Sequence, residues 1–165
     1  MLEVLRRLLD SFASLIKDIP VWAKVALQDY RGFAPVHVVN RTPERPAALA
    51  AHFGRRVNAA SWAEAPGLLS GARLVVNTTT LGMAGQPALQ LDLSRLPEDA
   101  VVNDIVYVPA ETGLLKAARA RGLRTAGGLG MLLHQAVPGF ERWFGKRPVV
   151  SPELRAAVER SIAEN

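Results

Sequence analysis

Residues 36–45, VHVVNRTPER, decide the fold class of this chain. The first four are mostly β-branched, which favours a short strand. Thr42, Pro43 and Glu44 then supply an N-cap, a first-turn proline and a first-turn acid, so a helix is predicted to begin here and to run to about Phe53. A strand followed at once by a helix is typical of a βαβ unit, in which the strands are parallel.

The same alternation continues along the chain. Short strands are predicted near Val57, at 74–76, at 101–105 and at 123–125. Helices are predicted at about 61–70, at 112–121 with Thr112 as the cap, at 128–144, and from Ser151, which caps the last helix. This order predicts an α/β fold with a mostly parallel sheet. The least regular stretch is 83–99, where glycine and proline interrupt the pattern.

The composition excludes several classes of protein. The chain has 165 residues and no cysteine, which removes disulfides and thiolate chemistry. Its three histidines are far apart in sequence, so no metal site is predicted. The net charge of +5 comes from scattered arginines and lysines rather than from a basic stripe, so nucleic acid is not an expected partner. No run of about 18 apolar residues is present, so we expect no membrane span.

The first segment has a different pattern from the rest. Apolar residues recur at spacings of three and four and predict an amphipathic helix over 1–20: Met1, Leu5, Leu8, Phe12, Leu15 and Ile19. A second short helix is predicted at 21–31. We therefore divide the chain into this N-terminal helix and one domain over 21–165. The wide apolar face also suggests a dimerising element.

Candidate binding residues follow the predicted strands, because ligands of parallel sheets lie beyond the carboxyl ends of the strands. Asn40 and Arg41 follow the first strand of the pattern, and Asn77, Thr78 and Thr79 follow another. The guanidinium of Arg41 has the geometry to pair with a 2′-phosphate. The alternative is a plain helix start with solvated arginines.

Two further stretches contain residue types suited to binding. Asp104 and Tyr107 lie at a strand end, where they would orient a substrate or, for Asp104, only cap a turn. Three glycines at 127–130 open the predicted helix, and Met131 and Gln135 share one face of it.

Four segments in this order resemble the C-terminal half of shikimate dehydrogenases: VVNRTPER, VVNTTTLGM, NDIVYVPAETGLLKAARARG and GGLGMLLHQAVPGFERWFG. The resemblance spans roughly 25–150. It implies a Rossmann-like three-layer sandwich that binds NADP, in a cytoplasmic oxidoreductase of aromatic amino-acid biosynthesis. The enzyme of this family reduces 3-dehydroshikimate to shikimate.

The resemblance also implies roles for individual residues. Cofactor-binding positions would be Asn40, Arg41, Thr42, Arg45, Asn77, Thr78, Thr79, Gly128 and Met131. Substrate contacts would come from Tyr107 and Gln135.

Two features depart from the family pattern. The catalytic Lys-Asp pair of the family has no counterpart that we assign here, so no catalytic residue is predicted and activity of this chain alone is not expected. The glycine-rich pyrophosphate loop is also missing, since counting back from Arg41 leads to Lys17-Asp18-Ile19-Pro20. The first strand and this loop are then lost or remodelled into the N-terminal helix, although residues 12–16 also fit a degenerate strand. The chain is therefore interpreted as a truncated or remodelled family domain or, alternatively, as a non-catalytic binding or dimerising protein that keeps the fold.

Overall fold

The computed structural model describes residues 36–163, which fall into two compact units that divide between Leu68 and Leu69. The predicted helices at 1–20 and 21–31, and the alternative strand at 12–16, lie outside the described residues. The single domain predicted over 21–165 stays a prediction.

The described part of the first unit begins with a βαβ unit. Strand β1 (Val36–Asn40) leads to helix α1 (Glu44–Phe53) and then to strand β2 (Val57–Ser61). The two strands are parallel, with Val36 opposite Val57. Helix α1 covers the pair because its buried Leu49 packs with Val57.

The start of α1 differs from the prediction. Thr42 was expected to cap the helix, but the cap position is Pro43 and no side chain caps it. The physical reason lies in Asn40, whose side-chain oxygen accepts a hydrogen bond from the Thr42 N–H at 2.9 Å. This Asx turn holds Thr42 before the first helical turn.

The helix predicted at 61–70 is instead three short pieces. A 3₁₀ turn at Trp62–Glu64 precedes helix α2 (Ala65–Leu68), and a second 3₁₀ turn follows at Leu69–Gly71. Proline and glycine at positions 66 and 67 have low helix propensity, so a continuous helix is disfavoured here.

The second unit contains a three-stranded parallel sheet in the order β3 (Leu74–Asn77), β4 (Val101–Asp104) and β5 (Arg124–Ala126). Its helices are α3 (Gly113–Ala120), α4 (Gly128–Phe144) and α5 (Pro152–Ala163). The core is apolar and gathers residues from strands, helix and loops: Leu69, Leu93, Leu96, Ala100, Val102, Leu114, Leu115, Ala118 and Leu123.

The stretch 83–99 has no helix or strand, yet it is packed. Leu93 and Leu96 are both buried in the core. The guanidinium of Arg121 donates hydrogen bonds to the carbonyl oxygens of both leucines. Two buried side chains and one arginine therefore hold this segment against the sheet.

The predicted fold class is confirmed, since all described strand pairs are parallel and helices alternate with them. The caps at Thr112 and Ser151 are also confirmed, because each hydroxyl accepts a hydrogen bond from a backbone N–H of the helix that follows. Within 36–163, no helix has the length and apolar character to cross a membrane.

A pH-sensitive contact between Ser61, the last residue of β2, and Glu64 gives a first prediction. The Glu64 carboxylate accepts hydrogen bonds from the Ser61 hydroxyl at 2.6 Å and from the Ser61 N–H at 2.7 Å. These two bonds lower the pKa of Glu64, the hydroxyl being the larger cause. A lowered folded-state pKa contributes stability above the unfolded pKa, and this contribution is lost as pH falls through the folded value. We expect Ser61→Ala to raise the pKa of Glu64 towards its ordinary value, but not fully, because the backbone donor remains.

The measurement is an NMR titration of the side-chain carboxyl carbons. The control is Asp92, whose own lowered pKa depends mainly on Ser94 and should not change in Ser61→Ala. An unchanged Glu64 titration in the variant would show that the hydroxyl contact is not made.

Candidate functional site

The carboxyl end of β1 presents two arginines to solvent. Arg41 follows the strand directly, and Arg45 lies one helical turn later, in the first turn of α1. Both are exposed, and no ion pair within 36–163 involves either of them. The half-buried Asn40 fixes the turn between strand and helix through Thr42, so the backbone below the arginines is ordered. Two exposed guanidinium groups on a fixed turn suit a phosphate dianion.

The second unit has its own carboxyl edge, where three strands end side by side. The segment after β4 continues the ladder, since the Ile105 N–H donates to the Asn77 carbonyl oxygen at 3.1 Å. Farther along, the Ala84 N–H donates to the Val108 carbonyl oxygen at 2.8 Å. The loop after β3 and the segment after β4 are therefore bonded to one another beyond the strand ends.

Asp104 lies at the centre of this edge and is fully buried. Its Oδ1 accepts hydrogen bonds from the Asn77 side-chain amide and from the Val106 N–H, both at 3.0 Å. Its Oδ2 accepts a hydrogen bond from the Thr112 hydroxyl at 2.6 Å. The carboxylate therefore joins β3, the segment after β4 and the start of α3.

The loop after β3 depends on side-chain hydrogen bonds. The Asn77 side-chain oxygen accepts from the N–H and the hydroxyl of Thr79, at 3.0 and 2.8 Å, and the Thr79 hydroxyl accepts from the Leu81 N–H at 3.1 Å. The side chains of Asn77 and Thr79 are thus used inside the loop. The neighbouring Thr78 is half-buried and makes no side-chain hydrogen bond within the described residues.

Helix α4 approaches the same edge closely at its first residue. A Cβ on Gly128 would lie 2.5 Å from the carbonyl carbon of Ile105 and 2.8 Å from the carbonyl oxygen of Val106. Only glycine permits this distance. Met131 is half-buried in the first turn of the helix, and Gln135 is exposed one turn later.

The structure brings together part of the predicted site. Within the second unit, the residues at or next to the carboxyl edge are Asn77, Thr78, Thr79, Tyr107, Gly128 and Met131. Tyr107 is 36% exposed there. Asn40, Arg41, Thr42 and Arg45 form a separate group in the first unit. No cluster of three metal-ligating side chains occurs within 36–163.

Sequence reasoning left the role of Asp104 open between substrate contact and turn cap, and it assigned Thr112 only as a helix cap. The missed signal was the pairing of Asn77 and Asp104 as the last residues of two strands. Adjacent parallel strands end at the same edge, so two polar residues at both ends are expected to meet.

Comparisons with known proteins agree with this description. The family model "Shikimate 5'-dehydrogenase C-terminal domain" matches residues 128–151. The shikimate dehydrogenase (NADP(+)) of Rhodopseudomonas palustris is 62% identical over 133 residues, which cover 81% of this chain and 48% of that protein. That of Nitrobacter hamburgensis is 63% identical over 132 residues, with shares of 80% and 46%. The chain therefore spans about half the length of these curated relatives.

Solved structures show the same relationship. The quinate dehydrogenase of Corynebacterium glutamicum, in complex with NAD, has a TM-score of 0.72 at 29% identity and covers 98% of this chain and 60% of its own. The shikimate 5-dehydrogenase of Thermus thermophilus, in complex with NADP(H) and shikimate, has a TM-score of 0.67 at 29% identity, with the same shares.

The parallel strands, alternating helices and polar carboxyl edges define a Rossmann-like α/β protein. Together with the sequence identities, they show that this chain belongs to the shikimate dehydrogenase family.

The close approach of Gly128 gives a second prediction. Gly128→Ala should lower the free energy of unfolding by about 2 kcal/mol or more, because the new methyl group overlaps the backbone that follows β4. Gly139→Ala, in the same helix, meets nothing within 4 Å of its Cβ. It should stabilise the protein by ~0.5–1 kcal/mol through helix propensity alone.

Urea unfolding followed by circular dichroism measures both variants under the same conditions. Opposite signs for the two alanine substitutions are expected. Equal stability of Gly128→Ala and the unchanged protein would contradict the close approach.

Proposed function

We propose that this chain is an NADP-binding domain of the shikimate dehydrogenase type and does not catalyse turnover alone. The observation that carries the proposal is the pair of exposed guanidinium groups, Arg41 and Arg45, at the carboxyl end of β1. In dinucleotide-binding sheets this place meets the adenosine ribose, and an arginine there suits a 2′-phosphate. Membership of the family supports the same cofactor.

The fit of the phosphate end rests on charge and geometry. Arg41 and Arg45 each offer a planar fork of N–H donors, and Asn40 and Thr42 hold the turn beneath them. Glu44 is the one carboxylate within 40–45 and is also exposed. Position 41 thus has a cation where an NAD-specific site would have an acid, which favours the 2′-phosphate over a free hydroxyl.

The nicotinamide end is assigned to the carboxyl edge of the second unit. We propose that Thr78, Thr79, Gly128 and Met131 line this end, with Asn77 shaping the loop. Bound NADP would supply hydride transfer. Tyr107 and Gln135 would then contact a small carbocyclic substrate.

Proton transfer is the step that these residues do not provide. Asp104 is the buried carboxylate at this edge, and both of its oxygens already accept hydrogen bonds. It is therefore not available as a general base, which must reach the proton it abstracts. We propose that the interconversion of 3-dehydroshikimate and shikimate, a step of aromatic amino-acid biosynthesis in the cytoplasm, needs an acid–base group outside the described residues.

Titration calorimetry with 2′,5′-ADP and 5′-AMP tests the phosphate end. The chain should bind 2′,5′-ADP more tightly, and Arg41→Ala should weaken that binding by about 10- to 100-fold through loss of charge-assisted hydrogen bonds. Binding of 5′-AMP should not change.

The matched control is Arg55→Ala. Arg55 is exposed in the same unit but precedes β2, so it lies at the amino edge of the parallel pair rather than at the carboxyl edge. Its removal should leave both affinities unchanged. An equal loss in the two variants would indicate general charge attraction, and absence of 2′,5′-ADP binding would remove the phosphate site.

A homodimer is a separate proposal, supported by the apolar repeat of 1–20 in the sequence. Light scattering should give twice the chain mass. Leu8→Glu, on the apolar stripe, should halve it, whereas Arg7→Glu, outside the stripe, should not. A monomeric mass for the unchanged chain would contradict the dimer.

A further inference from the structure

The Asp104 network reaches both segments to which cofactor and substrate are assigned. The residue is 0% exposed, and its three donors come from three different segments of the second unit. A buried carboxylate needs such donors, because an unsatisfied one carries a large desolvation penalty. The network is therefore expected to hold its partners firmly.

The first link controls the orientation of an amide. A carboxylate oxygen only accepts hydrogen bonds, so the Asn77 side chain must turn its NH₂ group towards Asp104. That NH₂ group also donates to the Leu81 carbonyl oxygen at 3.1 Å. The amide oxygen then has to face the N–H and the hydroxyl of Thr79. Asp104 thereby determines the orientation of the Asn77 amide, whose oxygen accepts the hydrogen bonds from Thr79 that shape the loop.

The first part of the loop, 78–81, depends on side-chain acceptors, whereas Gly82, Met83 and Ala84 farther along donate to backbone carbonyl oxygens. The backbone N–H of Thr79 is bonded to the Asn77 side chain, and that of Leu81 to the Thr79 hydroxyl, so neither uses a backbone acceptor. Thr78 lies between Asn77 and Thr79, so the hydrogen bonds that flank it are side-chain bonds that lead back to Asp104.

The second link holds the other side of the edge. The same Oδ1 accepts the Val106 N–H, which orders the segment that leads to Tyr107. Oδ2 accepts the hydroxyl of Thr112, the N-cap of α3. The link through Thr112 runs to the helix and not to the loop after β3.

We propose that Asp104 is a positioning residue for the nicotinamide end of the cofactor, acting through the orientation of the Asn77 amide on the loop that carries Thr78 and Thr79. The inference rests on the proposed function, since it concerns the same site. Asp104 does not touch the ligand.

Three substitutions separate positioning from simple stability. Asp104→Ala removes all three hydrogen bonds. Asp104→Asn keeps the oxygen that faces Val106 and Asn77, and its NH₂ group can donate to the Thr112 hydroxyl, so it should preserve the loop. Thr112→Val removes the helix link, with a loss of stability of its own, but leaves the Asn77 link intact.

The first readout is amide hydrogen exchange of the free protein, followed by NMR. Asp104→Ala should speed exchange at Thr79 and Leu81 by about tenfold or more, because the side-chain amide of Asn77 is then free to rotate. Asp104→Asn and Thr112→Val should keep these two amides within about threefold of the unchanged protein.

The second readout compares the affinities for NADPH and for 2′,5′-ADP in the full chain. Asp104→Ala should weaken NADPH binding about tenfold while 2′,5′-ADP binding stays unchanged, since Arg41 lies in the other unit. Asp104→Asn should restore NADPH binding. If Asp104→Ala does not fold, Asp104→Ser replaces it with the same expected results, because the serine hydroxyl is too short to span the network.

Two results would overturn the proposal, and a third would overturn the proposed function instead. Unchanged exchange at Thr79 and Leu81 in Asp104→Ala, or in Asp104→Ser where the alanine variant does not fold, would overturn the proposal, and so would an equal loss of NADPH binding in Thr112→Val. If the unchanged chain binds neither ligand, the proposed function fails, and the exchange data alone still decide whether Asp104 positions the loop.

Discussion

The second unit is organised around a carboxylate that has no contact with water. Asp104 ends the central strand of a parallel sheet, and its oxygens are satisfied by Asn77, Val106 and Thr112. Loss of the Thr112 hydroxyl would leave the buried Oδ2 without a donor, which is far more unfavourable than losing an exposed hydrogen bond, whereas Oδ1 has two donors. The strand ends, the loop after β3 and the start of α3 are thus held by one group.

The second constraint on the same edge is steric. Gly128 places the first turn of α4 against the backbone that follows β4, at a distance that no side chain allows. The start of α4 is therefore fixed beside the segments that Asp104 organises. The result is a polar, hydrogen-bonded edge with Thr78 and Met131 next to it, which suits recognition of a ligand by preformed groups.

The sequence predicted the regular elements well where the residues that begin and end them are directly adjacent to them in the chain. The bounds of α4 follow from Gly127 before it and Gly145 after it, where a left-handed residue ends the helix. The cap at Thr42 was wrong because the Thr42 N–H is bound by the side chain of Asn40, two residues earlier, in an Asx turn that precedes the helix. The packing of Leu93 and Leu96 has no periodic signal, since irregular segments bury residues one by one.

In the candidate site, too, features that follow from local sequence were predicted, and features that depend on distances between atoms were not. The exposure of Arg41 follows from its place after a strand. The commitment of the Asn77 and Thr79 side chains to internal hydrogen bonds does not, because it depends on distances between atoms. The apolar repeat of 1–20 and the missing glycine-rich loop concern residues outside 36–163 and stay predictions.

The most direct test of the account is mapping of NADP⁺ on the full chain by amide chemical shifts. Shifts are expected at residues 40–45, at 77–79 and at 128–131. No shift is expected at Arg73 and Arg124, which lie at the amino ends of β3 and β5. Shifts confined to such amino-end positions, or no shifts at millimolar cofactor, would contradict the claim that the carboxyl edges of this chain bind NADP.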